Sequence, residues 1–154
     1  MTDVPQTEGN VLTADETTSA VLAHVLQLVG GWIAPLVIFL VKRKSRFVSF
    51  HALQALLLQG LYFILAMVIV CVVMVLVMTS VITHPAVHDG LPPAIVLLFP
   101  VIWLGMMGWW VFMLVVAILY GVKAGRGEWA EYPLLGRLAR NILKIGPNGT
   151  VWQG

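Results

Sequence analysis

Four polar side chains sit inside apolar sequence at matching intervals. His24 and Gln27 are three residues apart, and His51 and Gln54 repeat that spacing. On a helix each pair shares a face, one turn apart. An imidazole changes charge near neutral pH, and a carboxamide both donates and accepts. Together the four could line a polar cavity or a solute path. The same residue types also hold helices against one another through hydrogen bonds, each worth about 0.6 kcal/mol in a membrane bundle. This packing role is the simpler expectation.

Other chemistry is sparse. His84 and His88 are four apart with Asp89 adjacent, a spacing that could bring two imidazoles to one metal, but Pro85 interrupts the turn and no further ligand is close in sequence. Asp89, Glu128 and Glu131 are the carboxylates outside the first 19 residues, and none lies inside an apolar run where a pair could do acid–base work. No nucleophile elbow, phosphate loop or dinucleotide fingerprint occurs. The single Cys71 is surrounded by aliphatic residues and reads as one more small hydrophobe. These features predict a protein that is not an enzyme and has no cofactor and no metal centre.

The elements that carry these residues follow from charge. Of 154 residues only 16 are Asp, Glu, Lys or Arg, or 10% where soluble domains carry about 25%. Thr17 to Val41, Phe47 to His88 and Gly90 to Val122 hold no formal charge. With a mean hydropathy of +0.94, the remaining residues are too few to cover a soluble surface. A net charge of +2 on such a chain also argues against nucleic acid as a partner. The expected fold is therefore an all-α integral membrane protein with three spans, at about 20–41, 52–82 and 94–122, and a surface helix at about 133–145. Residues 1–19 read as a disordered acidic tail, with helix caps available at Asp15, Thr17, Thr18 and Ser19. Residues 146–154 read as a frayed end.

The first span is the ambiguous one. Twenty-two residues of helix reach about 33 Å, enough to cross, but Gly30, Gly31 and Pro35 interrupt the middle. A kinked span is the preferred reading, and a re-entrant hairpin of two half-helices is the alternative. The second run is long enough for one tilted helix whose first turns lie at the interface. In the third, Pro100 marks a kink or an interfacial first turn, and Gly105 and Gly108 beside Trp103, Trp109 and Trp110 form a candidate helix contact.

All nine basic residues fall between runs one and two or after run three. The positive-inside rule then places those segments in the cytoplasm, in the inner membrane of a bacterium, with Thr83 to Pro93 outside. Lys42, Arg43, Lys44 and Arg46 form one cluster. Arg137, Arg140 and Lys144 line one face of the last helix and Leu134, Leu135, Leu138, Ile142 and Ile145 another, as in a helix that lies on the membrane surface or packs against the bundle's own cytoplasmic loops. Both groups could touch anionic lipid or an acidic partner. Lipid is thus the expected surrounding, with self-association or other membrane proteins as partners.

Two motifs carry a resemblance. Ala34-Pro-Leu-Val-Ile-Phe-Leu-Val-Lys followed by Arg46-Phe-Val-Ser-Phe-His51-Ala-Leu-Gln54, together with Gly127-Glu-Trp-Ala-Glu-Tyr132-Pro133, resembles a bacterial family of small membrane proteins of unknown function. That family is similar to the chloroplast inner-envelope import component called Tic-twenty. The resemblance implies a helical bundle and, more remotely, an interaction or assembly role like that of a protein-import subunit. The competing expectation is an oligomeric channel or transporter subunit built around His24, Gln27, His51 and Gln54.

Overall fold

The computed structural model describes residues 12–83, 93–146 and 150. The leader before Leu12, the connection at 84–92 with His84, His88 and Asp89, and most of the C-terminal tail lie outside the described residues. Among the described residues six helices are seen: α1 Ala14–Val25, α2 Gln27–Gly30, α3 Ile33–Val41, α4 Arg46–Thr83, α5 Pro93–Gly125 and α6 Leu135–Leu143.

The acidic leader turns helical earlier than its composition suggested. Thr13, not Thr17 to Ser19, caps α1, and the expected tail therefore ends before residue 14. The Thr13 hydroxyl accepts from the Glu16 amide at 3.2 Å, and the Glu16 carboxylate accepts from the Thr13 amide at 3.0 Å. This reciprocal capping box satisfies two amides that the first turn leaves free, and Asp15 and Glu16 place negative charge at the positive end of the helix.

The glycines and the proline then divide the first apolar run. Gly31 takes φ 55° and ψ −135°, which a residue with a Cβ adopts only under strain. The helical path stops there, and α3 begins two residues later. Pro35 lies in the first turn of α3, where its missing amide hydrogen would have had no helical partner, so it starts a helix and does not kink one. The end of α3 returns to the start of α1. The Lys42 ammonium meets the Asp15 carboxylate at 2.5 Å, and the Ser45 hydroxyl donates to Glu16 at 2.7 Å. The run is a helical hairpin whose two ends meet, which is the shape of the alternative reading and not of a kinked span. In place of the expected three spans, two helices among the described residues are long and apolar enough to cross a membrane, α4 and the Val96–Gly125 part of α5.

Those two helices have unlike halves. All buried residues of α4 fall between Phe47 and Leu58, and beyond that point its side chains are exposed or half-exposed. At 38 residues the helix is about 57 Å long. Its second half alone covers a hydrocarbon core of about 30 Å. α5 continues through Pro100 without ending. α1 wedges between the near ends of α4 and α5, while α3 and α6 lie against α4. The crossings are made at fully buried alanines, namely Ala20 and Ala23 on α1, Ala52 and Ala55 on α4, and Ala117 and Ala124 on α5. Small side chains let backbones approach closely. The result is a packed cap carrying two apolar stems. The groove expected at Gly105 and Gly108 is not used, since a Cβ at either would meet nothing within 4 Å.

The last helix is shorter than the expected 133–145. It is entered through Leu134 at φ 67° and ψ −53°, with the Leu135 amide donating to the Pro133 carbonyl at 2.8 Å. An i to i+2 bond with those angles is a γ-turn of the rare, strained kind. Gly136 then packs so closely that a Cβ there would lie 2.6 Å from the Glu131 Cβ.

Candidate functional site

The cap closes around the two motifs read from the sequence. Phe47, Phe50, His51 and Gln54 stand on the first turns of α4, and residues 128–132 form a non-helical strap that crosses them. A strap without helix or sheet must find partners for its own backbone groups elsewhere. The side chains of α4 and α5 supply them. His51 Nε2 donates to the Glu128 carbonyl at 3.1 Å, Gln54 Nε2 to the Ala130 carbonyl at 3.2 Å, and the Tyr120 hydroxyl to the Glu131 carbonyl at 3.0 Å. The Tyr132 amide donates to Gln54 Oε1 at 2.6 Å. Trp129 wedges edge-on against Phe47, with ring centroids 5.2 Å apart, and tilts against Phe50 at 5.5 Å.

His24 reaches the same point from α1. Its Nε2 lies 3.0 Å from His51 Nδ1, and its Nδ1 lies 2.8 Å from the Tyr132 hydroxyl. The direction of every proton follows from the far end. A carbonyl only accepts, so His51 carries hydrogen on Nε2 and, being neutral, presents a lone pair at Nδ1. His24 must then donate from Nε2 and accept at Nδ1, which makes Tyr132 the donor. Burial pushes the Tyr132 phenol well above its ordinary range, and the hydroxyl therefore keeps the proton it has to give. The relay runs one way from Tyr132 through both histidines to Glu128, and no ring lone pair is left over for a metal.

Gln27 joins this cluster differently. Its carbonyl, left without a helical partner by the break at Gly31, accepts from Gln59 Nε2 at 3.0 Å. Its side chain is buried at 1% exposure and approaches the Tyr132 hydroxyl without closing a hydrogen bond. The Trp109 indole nitrogen is likewise buried and unpaired, while its ring stacks on Tyr62 at 5.3 Å.

Thus His24, His51 and Gln54 converge as one knot, with Gln27 beside it. Of the four, Gln27 reaches the wall of an open groove. Two cavities flank the stems, a groove of about 430 Å³ under the hairpin tip and a cleft of about 460 Å³ beside Tyr132, and His24, His51 and Gln54 line neither.

The basic residues divide in two groups. Lys42 pairs with Asp15. Arg140 pairs with Glu131, donates to the Gly146 carbonyl and lies over the Phe50 ring at 4.9 Å, so it ties α6 to the cap and has little left for lipid or partner. Arg43, Lys44, Arg46, Arg137 and Lys144 point outward. Tyr132, Trp129, Tyr120 and Gln59 were not among the expected site residues. Tyr132 and Trp129 stood in a quoted motif, which was their only signal. The carbonyl partners of the histidine and glutamine depend on a long-range meeting that spacing does not encode.

No curated protein and no solved structure matches the chain. The match that is found differs from the import component the motifs suggested, and those motifs turn out to be two halves of a structural knot. Residues 15–139, which include the hairpin, both stems and the strap, match a family of small membrane proteins, and the chain belongs to that magnetosome magnetite crystal formation protein family, MamF/MmsF.

Proposed function

We propose that this chain serves magnetite crystal formation without catalysis, as a membrane-held platform that acts through the surfaces it presents to other membrane proteins. The stems seat it in the bilayer, and the cap offers Arg43, Lys44, Arg46, Arg137 and Lys144 on one side. By the positive-inside rule that side is cytoplasmic. One observation supports the reading above the rest. The histidine, glutamine and tyrosine groups that could have done chemistry are taken up by the chain's own strap, from His51 on Glu128 to Gln54 on Tyr132. What remains for function is shape and charge.

The test is deletion and complementation in a magnetite-forming bacterium. Deleting the chain should alter crystal size or number in electron micrographs, and the intact chain should restore them. Photo-crosslinkers at Arg43 should recover a second membrane protein. Unchanged crystals in the deletion strain, or crosslinking that recovers nothing but lipid, would remove the proposal.

A further inference from the structure

The cleft beside Tyr132 has walls, a length and a charge that select an occupant. It is lined by Leu58 and Leu61 of α4, by Phe112, Val116 and Tyr120 of α5, and by Leu135 where the strap turns into α6. Trp109 is the lining residue of α5 farthest from Tyr120. From Tyr120 to Trp109 is eleven residues of α5, about 16 Å of helix. That is about half of a hydrocarbon core of about 30 Å, the depth of one leaflet.

Charge is found at one end. Lys123 lies one turn beyond Tyr120, is exposed, and holds its ammonium 5.4 Å over the Tyr120 ring. Among the described residues it forms no ion pair. At the level of the cleft, Leu61 is 48% exposed and Leu134 is 79% exposed, so its apolar wall continues onto the outward faces of the stem and of the turn. On α6, Leu138 and Ile142 extend the exposed row that Leu134 starts at four-residue intervals, the pattern of a helix that would rest in the plane of a membrane surface. The cation therefore stands at headgroup height and the cleft runs inward from it.

We propose that this cleft is a binding site for one acyl chain of an anionic phospholipid, with the lipid phosphate held by Lys123. The inference rests on the membrane placement of α4 and α5 and is independent of any role in mineral formation. A cation near an anionic headgroup is worth roughly a five-fold preference over a zwitterionic one.

The test uses the full chain reconstituted in bilayers of equal phosphatidylglycerol and phosphatidylcholine, released into mild detergent and weighed by native mass spectrometry. One phosphatidylglycerol per chain should be retained, at about five times the phosphatidylcholine. Lys123→Gln should bring the two lipids near parity while a lipid is still held. Val116→Trp should fill the cleft and release it. Leu61→Trp, at a half-exposed rim, repeats that test if the first variant does not fold. The site is overturned if the native chain keeps no lipid, if it keeps both lipids equally, if both tryptophan variants retain lipid as the native chain does, or if the cleft crosslinks to a second copy.

Discussion

The Lys42 ammonium lies 2.5 Å from the Asp15 carboxylate, and this one pair brings together the two ends of an apolar run long enough to have crossed a bilayer. As an exposed ion pair it contributes little to stability. Its value is geometric, since Asp15 and Lys42 must occupy the same side. Cysteines placed at Thr13 and at Lys44 in a Cys71→Ser background should react with a membrane-impermeant maleimide from one side only, and from the same side. Labelling from opposite faces would show a crossing helix.

Gly31 marks the reversal of that hairpin. Gly31→Ala should cost about 1–3 kcal/mol, because a Cβ is strained at its backbone angles. Gly60→Ala is the matched control, since a Cβ there meets nothing within 4 Å and the helix interior favours alanine by about 0.5–1 kcal/mol. Thermal unfolding in detergent micelles should separate the two variants in opposite directions. Equal midpoints would contradict the hairpin geometry.

His51→Ala strips two groups of their partners, the buried Nε2 hydrogen of His24 and the part-buried carbonyl of Glu128. Each unpaired group costs about 1–3 kcal/mol, so the loss should be about 2 kcal/mol or more in a denaturant titration. Tyr132→Phe removes a single donor and should cost about 1 kcal/mol. If the two variants lost equal stability, His24 and the Glu128 carbonyl would not both depend on His51.

Gly136→Ala should loosen α6 while leaving the stems intact. The new Cβ would sit 2.6 Å from the Glu131 Cβ, closer than real Cβ contacts allow, and a tight 3.1 Å from Gln54 Oε1. Limited trypsin digestion should cut after Arg137 and Arg140 several times faster than in the native chain. Unchanged cleavage would mean that the helix does not dock through this glycine.

Acid should loosen the start of α1. Hydrogen bonds from the Thr13 backbone and the Ser45 hydroxyl hold the Glu16 carboxyl below its ordinary value of 4.5. A carboxyl lowered in the folded state stabilises fully above its unfolded pKa, and that contribution is lost as pH falls through the folded value. Protection of the α1 amides, measured against their intrinsic exchange rates, should therefore fall below about pH 4.5, and Glu16→Gln should flatten that response. An acid limb unchanged in the variant would assign it to another group.

Much of the architecture was legible in the sequence because lipid leaves few choices. Runs of aliphatic residues gave α4 and α5, and the alternation of leucine and arginine gave α6. The hairpin was seen only as an alternative, since glycine and proline mark a break without saying which way the chain leaves it. That depends on α1 and α3 both packing against α4, far along the chain. His24 and His51 drew attention through composition, whereas Tyr132 and the carbonyl of Glu128 did not. The strap that carries them has no periodicity, and its backbone is organised by side chains from distant helices.

The relay also has a temporal side. His24 and Tyr132 are separated by 108 positions in the chain, and between them lie both apolar stems. During synthesis His24 is made early and then waits, with its hydrogen bond to tyrosine unavailable until the second stem is complete and the strap has emerged. Closure of the knot therefore comes last in biogenesis. It reports that both stems have been inserted, and a chain truncated or wrongly threaded after α4 would keep an open cap that quality-control proteases can reach.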